Sequence, residues 1–195
     1  MSTIINASTS SGLVQTADTS GTLVLQSNGT TMQTIDSTGS YGQLKQGTAQ
    51  ASTSGTSIDF TSIPSWVKRI TVMFNGVSGN GTSPHLVQIG TGGTPTTTGY
   101  ISSAGASGNT AQTTSTAGFV QQYTNTAAQT WQGMVIITLL SSNTWVSQGQ
   151  LASSINNTNA AGGVSLSGAL DMIRVTTVNG TDTFDAGSIN ILYEG

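Results

Sequence analysis

Short stretches of alternating apolar and polar residues recur along this chain, and turn-forming residues separate them. The clearest stretch is Val67–Val77, in which Ile70, Val72 and Phe74 share one face of a predicted strand. No long stretch shows the 3.6-residue period of an amphipathic helix, and Glu, Lys and Arg, which favour helices, are scarce. The pattern predicts an all-β protein with short strands packed as a sandwich or barrel.

The strands are densest after residue 50, and about eight to ten of them fit two packed antiparallel sheets. Trp131–Leu140 and Thr144–Leu151 form a predicted hairpin, and the pairs Asn75-Gly76, Asn80-Gly81 and Asn179-Gly180 are predicted turns. We therefore predict a jelly-roll-like antiparallel β-sandwich over residues 51–195. The remaining predicted strands are Thr56–Phe60, Leu86–Ile89, Gly99–Ser102, Gly118–Tyr123, Ala169–Val178 and an alternating segment from Ile189 to Tyr193.

Residues 1–50 form a segment of a different character, with no tryptophan and a single aromatic residue. Thr22–Ser27 and Thr30–Ile35 are predicted to pair across Asn28-Gly29, because both turn residues accept the positive φ of a type I′ turn. An isolated hairpin is only marginally stable in water. The segment is therefore expected to attach to neighbouring copies or to another protein, and Ser37–Gly55 is predicted to be a linker.

The composition indicates a protein that works in an assembly. Serine and threonine account for 61 residues and glycine for 25, whereas only 11 side chains are charged and the net charge is −3. Such a surface provides little electrostatic repulsion between copies. The low net charge and the clustered apolar residues argue against disorder of the whole chain.

Several classes of protein are excluded by what the chain lacks. It has no cysteine, and therefore no disulfide, thiolate metal site or cysteine nucleophile. Four basic residues are too few for a phosphate-binding patch, so no nucleic-acid partner is expected. The longest clear apolar run, Met134–Leu140, is far shorter than the roughly 20 residues that span a bilayer, and Met1–Ile5 does not resemble the start of a signal peptide. We expect synthesis in a cytoplasm and no membrane insertion.

Candidate catalytic chemistry is sparse. His85, the one histidine, is either a general base or an incidental polar residue at a strand start, and the second interpretation is favoured. Asp182 and Asp185 are close together, but they lie in a turn-like stretch and lack the further ligands of a calcium loop. Gly90–Gly93 is interpreted as a plain loop. No catalytic, cofactor-binding or metal-binding residue is predicted, and we expect a protein that is not an enzyme. The acidic residues considered are Asp18, Asp36, Asp59, Asp171, Asp182, Asp185 and Glu194.

The three tryptophans leave two alternatives open. Trp66, Trp131 and Trp145 could stack on sugars if they are exposed, but each lies beside an apolar run, where burial in the core is the commoner outcome. Sugar binding is therefore a hypothesis without an assigned site.

Residues Thr53–Ser78, which include Ile63-Pro-Ser-Trp-Val-Lys-Arg-Ile70, and residues Gly81–Gly90 resemble a module of bacteriophage tail-fibre and virion-surface proteins. The opening stretch Ile4–Leu23 is similar to the N-terminal start of phage structural proteins. The resemblance implies a β-rich particle protein, commonly trimeric, with an N-terminal attachment part and an outward globular part. It implies no catalytic residues.

Two functions are expected from this resemblance. The first is a homotrimeric head decoration, cement or head-fibre protein that stabilises the capsid, bound to the major capsid protein or another virion protein. The alternative is a short tail-fibre or receptor-binding protein that adsorbs to a host surface glycan or protein. Either would be located on the virion after assembly in the bacterial cytoplasm, and neither needs a cofactor. An enzyme such as a depolymerase is a third and remote hypothesis.

Overall fold

The computed structural model describes residues 22–36, 39–41, 44–106 and 110–195. Within these ranges the chain contains strands and turns but no helix, which confirms the predicted all-β class. The strands are β1 Leu23–Ser27, β2 Thr30–Asp36, β3 Gly39–Tyr41, β4 Leu44–Gln46, β5 Gln50–Ala51, β6 Ile58–Phe60, β7 Arg69–Gly79, β8 His85–Thr91, β9 Thr94–Pro95, β10 Ile101–Ala106, β11 Gln112–Ser115, β12 Phe119–Val120, β13 Trp131–Ser141, β14 Thr144–Ala152, β15 Asn157–Ser165, β16 Met172–Thr177 and β17 Phe184–Glu194.

The chain divides into two compact units, Met1–Gln43 and Leu44–Gly195. In the small unit, β1, β2 and β3 form an antiparallel sheet in that order. Asn28 and Gly29 connect β1 to β2 with φ values of 50° and 76°, so both turn residues are in the left-handed region. The hairpin predicted from Asn28-Gly29 is therefore confirmed.

The large unit consists of two antiparallel sheets. The nine-stranded sheet has the order β11-β10-β15-β14-β13-β7-β17-β4, with β5 also paired to β17. The five-stranded sheet has the order β12-β8-β16-β6, with β9 paired to β8. This arrangement is a β-sandwich, as predicted. It does not establish the jelly-roll connectivity, because β13, β14 and β15 follow one another as neighbours within one sheet.

Alternate residues of both sheets form the core between them. On β7 the residues Ile70, Val72 and Phe74 are buried, as the alternation in the sequence predicts. Burying one aliphatic side chain of this size contributes roughly 1.5–3 kcal/mol, so this layer is a principal source of stability. The core residues with no exposed surface include Ile70, Val72, Val77, Val87, Ile89, Val120, Trp131, Val135, Ile137, Ile173, Val175 and Ile189.

The predicted linker Ser37–Gly55 is wrong over its second half. Leu44–Gln46 and Gln50–Ala51 are strands that pair with the last strand, β17, so the large unit begins at Leu44. Ser52 is fully buried, and its hydroxyl donates to the Ala186 carbonyl oxygen at 2.8 Å. A partner more than a hundred residues away in sequence gives this polar segment its structure, and local composition contains no sign of that partner.

The predicted turn at Asn75-Gly76 is also wrong. Both residues lie inside β7, where Gly76 has a φ of 65° and the register with β17 shifts. Gly187 faces this irregularity with a φ of 90°, and a Cβ at position 187 would overlap the Gly76 carbonyl oxygen. The pair therefore forms a bulge, since the positive φ that suits a turn also suits an extra residue within a strand.

One long strand has no counterpart among the predicted strands. β15 contains Asn, Ala and Gly where strands usually carry β-branched or aromatic residues. Gly162 explains part of this composition, because a Cβ there would lie 2.6 Å from the Ile101 carbonyl oxygen and 3.0 Å from the Phe119 ring. Small residues let β15 pack closely against its neighbours, and packing outweighs intrinsic propensity at this position.

Candidate interaction surface

His85 begins β8 and is fully buried in the sandwich. Its ring stacks between Phe74 and Phe184, with ring-centroid separations of 6.2 and 5.6 Å. Gln122 holds the residue in two places. Its Oε1 accepts a hydrogen bond from the His85 backbone N at 2.6 Å, and its Nε2 donates to Nδ1 at 2.8 Å. Because Nδ1 accepts, the proton of the neutral ring is on Nε2.

The surroundings of His85 keep its imidazole neutral. Nε2 has no hydrogen-bond partner among the described residues. Removal from water disfavours the charged ring, so burial lowers the pKa of His85 to about 4. The structure thus places this histidine in the core, whereas a general base needs access to a substrate proton.

The acidic residues singled out in the sequence have structural partners. Arg174 donates to Asp59 from Nε at 2.7 Å and from Nη2 at 2.6 Å, a two-bond pair between β16 and β6. Asp182 accepts from Asn179 Nδ2 at 2.7 Å and from Ser83 N at 2.9 Å. These two hydrogen bonds lower the pKa of Asp182, and the bond from Asn179 has the larger effect. Asp59 therefore stabilises the pairing of β6 with β16, and Asp182 stabilises the loops that contain Ser83 and Asn179.

Asp185 is not part of a shared site with Asp182. Its Oδ1 accepts a hydrogen bond from the Ser78 hydroxyl, on the neighbouring strand β7. Across the described ranges, no group of three or more His, Asp or Glu side chains could hold a metal ion. Asp18 and the side chain of Asp36 lie outside what the structure describes.

The glycine-rich stretch Gly90–Gly93 is the tip of a hairpin. Gly92 and Gly93 connect β8 to β9 with φ values of 65° and 70°. The Gly93 N–H points to the Asp171 carboxylate, with both oxygens at 3.1 Å. The interpretation of this stretch as a plain loop agrees with its role as a turn.

Two of the three tryptophans are core residues. Trp131 and Trp145 are buried in the sandwich, and Trp131 Nε1 donates to Asn125 Oδ1 at 2.8 Å. Trp66 is half-buried and packs against Tyr193 with a ring-centroid separation of 5.8 Å. Trp131 and Trp145 therefore offer no surface on which a sugar could stack.

The outward side of the nine-stranded sheet carries an apolar surface that sequence reasoning missed. It consists of Met73, Met134, Ile136, Val146 and Leu192, here called the outer apolar face. Met134 is 50% exposed, Ile136 37% and Val146 41%. The registers place Met73 opposite Met134 on adjacent strands. The sequence feature that could have revealed this surface is the run Met134–Leu140. Apolar residues occupy adjacent positions in this run, so both faces of the strand are largely apolar, whereas a strand with one solvent-facing side alternates apolar and polar residues.

The outer apolar face is bordered by uncharged side chains and, at one end, by a single ion pair. Gln148 lies opposite Ile136, and Gln150 lies opposite Met134. Among the described side chains of these strands, the charged pair nearest to the face is Arg69 with Glu194, which are register partners and form an ion pair with each other. The face therefore presents methyl, thioether and amide groups without an unpaired charge.

The small unit also exposes apolar side chains. Leu23, Val24, Leu25 and Ile35 are each between 37% and 43% exposed. Because successive side chains of a strand point to opposite faces, Val24 lies on one face of this sheet, and Leu23 and Leu25 lie on the other. Leu23 is the register partner of Ile35. Both faces of the small sheet are thus partly apolar and open.

A groove beside β17 collects polar groups. Its volume is about 360 Å³, and its lining includes Lys45, Gln46, Gln50, Asp59 and Tyr193. The Lys45 Nζ lies 5.9 Å from the centroid of the Tyr193 ring. The Lys45 ammonium and the Gln46 and Gln50 amides at one groove provide donors and acceptors for a polar ligand.

Within the described residues, no helix has the length and apolar character that crossing a membrane would need. No protein-family model, no curated protein and no solved structure matches this chain.

Proposed function

We propose that this chain is a structural protein of the bacteriophage particle surface, a homotrimeric head decoration, cement or head-fibre subunit that stabilises the capsid. It is not an enzyme in this proposal, and its partners are its own copies and the major capsid protein or another virion protein. The observation that carries the proposal is the small unit, a three-stranded sheet with exposed apolar side chains on both faces.

A sheet of this kind is a poor independent unit. A small sheet is stabilised by burying its apolar side chains, and here Val24 on one side and Leu23 and Leu25 on the other remain partly exposed. Contact with a capsid protein or with the same segment of other copies would cover them. The small unit is therefore well suited to attachment.

The sparse charge of the chain also suits a particle surface covered by many copies. Its net charge of −3 arises from four basic and seven acidic residues. Two of the basic residues, Arg69 and Arg174, are paired with carboxylates of the same chain. Copies packed side by side would repel one another weakly, since their summed charge is small.

Removing the chain from the particle tests the proposal. A phage whose gene for this chain is deleted should lose infectivity on heating roughly tenfold faster, which corresponds to about 1.4 kcal/mol of barrier. Adsorption to host cells at moderate temperature should not change. Adding the purified full-length chain back should restore the heat resistance, and the measurement is the rate of loss of plaque-forming units.

The opposite pattern would favour the alternative function, a short tail-fibre or receptor-binding protein. Deleted particles would then resist heat like the wild type but would fail to adsorb. The groove at Lys45, Gln46 and Gln50 is the observation that supports this alternative, because its polar groups match the hydroxyls of a host glycan. Virion stability and adsorption thus separate the two functions in one pair of strains.

A further inference from the structure

We propose that the outer apolar face is the surface through which copies of this chain pack on one another. This inference rests on the proposed function, since it names the contact that would hold the homotrimer together. It concerns the large unit and does not depend on how the small unit attaches to the particle.

The exposure of the outer apolar face is concentrated on adjacent strands. Met134 and Ile136 on β13 have Val146 on β14 and Met73 on β7 as neighbours in the sheet. Single exposed apolar residues on a surface are ordinary, but a contiguous group marks an interaction site. Methionine is also common at protein interfaces, where its flexible thioether adapts to the partner.

The absence of an unpaired charge favours a second copy of this chain as the partner that covers the outer apolar face. Arg69 and Glu194 neutralise each other at one end of the face, and the neighbouring positions are filled by Gln148, Gln150 and threonine. A charged partner would lose hydration here without gaining an opposite charge. A second copy of the same face is neutral in the same way, so it matches in both charge and apolar character.

The side of the nine-stranded sheet that carries the outer apolar face is close in area to one partner's share of a standard interface. The five long strands β7, β13, β14, β15 and β17 contain nine to eleven residues each. At roughly 4.8 Å between strands and about 3.3 Å per residue, they present an area of about 700 Å². A standard protein interface buries about 800 Å² on each partner, and a subunit of a trimer would bury this side of the sheet against its two neighbours together.

A threefold arrangement can use one such face on every copy. Three sheets that face a common axis form a prism, in which each face contacts its two neighbours through different halves. Met134 and Ile136 lie on β13, which has β14 and β15 on one side and β7 and β17 on the other. They would therefore lie near the axis, where burial is most complete.

The test places charge on the face and measures the mass of the full-length protein. The double variant Met134→Lys, Ile136→Lys should fall from three times the 19.8 kDa monomer mass to one monomer mass in analytical ultracentrifugation. The matched control is Ile155→Lys, because Ile155 is 72% exposed but lies in the turn between β14 and β15. The control variant should keep the mass of the wild type.

The outcomes separate this inference from the proposed function. A wild-type trimer that survives both lysines overturns the inference about the face and leaves the homotrimer in place. A wild-type monomer overturns both the face and the homotrimer. Dissociation of the control as well would mean that lysine acts without regard to position, which also contradicts the inference. A thermal melt of each variant tests whether it is folded. We expect both variants to fold, because all three substituted positions are exposed.

Discussion

Alanine at position 133 should destabilise the large unit by about 3 kcal/mol or more, the upper part of the range for strained backbone positions. Gly133 lies in β13 with a φ of 139°, a conformation that is essentially limited to glycine. A Cβ there would overlap the Gln150 carbonyl oxygen and lie 3.1 Å from the Leu151 Cα. Both obstacles are backbone atoms of the adjacent strand, so the structure can accommodate the methyl group only by breaking the β13–β14 pairing.

The matched control is Gly163→Ala in β15. A Cβ at position 163 would lie 3.5 Å from the Trp145 carbonyl oxygen and 4.0 Å from Val146 Cγ1, which are ordinary contacts. We expect its free energy of unfolding to stay within about 0.5 kcal/mol of the wild type. Urea unfolding of both variants is the measurement. Equal stability of the two variants would show that the positive φ at Gly133 is not required.

Acidification should weaken the fold through His85. Its pKa is about 4 in the folded protein and 6.5 in the unfolded chain. Between these values the unfolded chain binds a proton that the folded core excludes, so stability falls as the pH decreases. The contribution is fully present above pH 6.5, declines between pH 6.5 and 4, and levels off below pH 4. The total loss is about 3 kcal/mol, from about 1.4 kcal/mol for each pH unit between the two values.

The variant His85→Asn isolates this effect from the titration of the carboxylates. Asparagine has an oxygen near the position of Nδ1 that can accept from Gln122, but it does not titrate. The variant should be less stable than the wild type at pH 7, because it loses the stacking on Phe74 and Phe184. Its free energy of unfolding should nevertheless depend less on pH between 6.5 and 4. Identical slopes for the two proteins would refute the role assigned to His85.

Local signals in the sequence identify the strands whose own residues determine their structure. Asn28-Gly29 predicts the β1–β2 hairpin because the turn conformation is a property of those two residues. The alternation of Ile70, Val72 and Phe74 predicts β7 and its buried face because each residue contributes its own apolar surface. The hairpin of β13 and β14 follows from the same pattern on two adjacent segments.

Features that depend on distant partners could not be predicted in this way. β4 and β5 exist because β17 pairs with them, and β15 exists because its small residues fit between β10 and β14. Asn75-Gly76 carries a local preference for positive φ that a bulge satisfies as well as a turn.

The outer apolar face could not be predicted from the sequence for a related reason. An alternating strand shows which residues share a face, but the outer apolar face forms only when β7, β13, β14 and β17 become neighbours. Met73 and Leu192 are more than a hundred positions apart in the chain, and neither is unusual in its own strand. Likewise, the burial of His85 results from Phe74 and Phe184 closing over it, and neither is its neighbour in sequence.

The position of β17 has a consequence for synthesis of the protein. This last strand lies inside the nine-stranded sheet, between β7 and β4, and its residues Ser188 and Ile189 also pair with β5. A nascent chain that still lacks β17 leaves the edge of β7 unpaired and part of the core open to solvent. The large unit therefore completes folding only after residues 184–194 have left the ribosome. Non-local pairing of this kind places refolding in the range of milliseconds to seconds, typical of β-sandwiches.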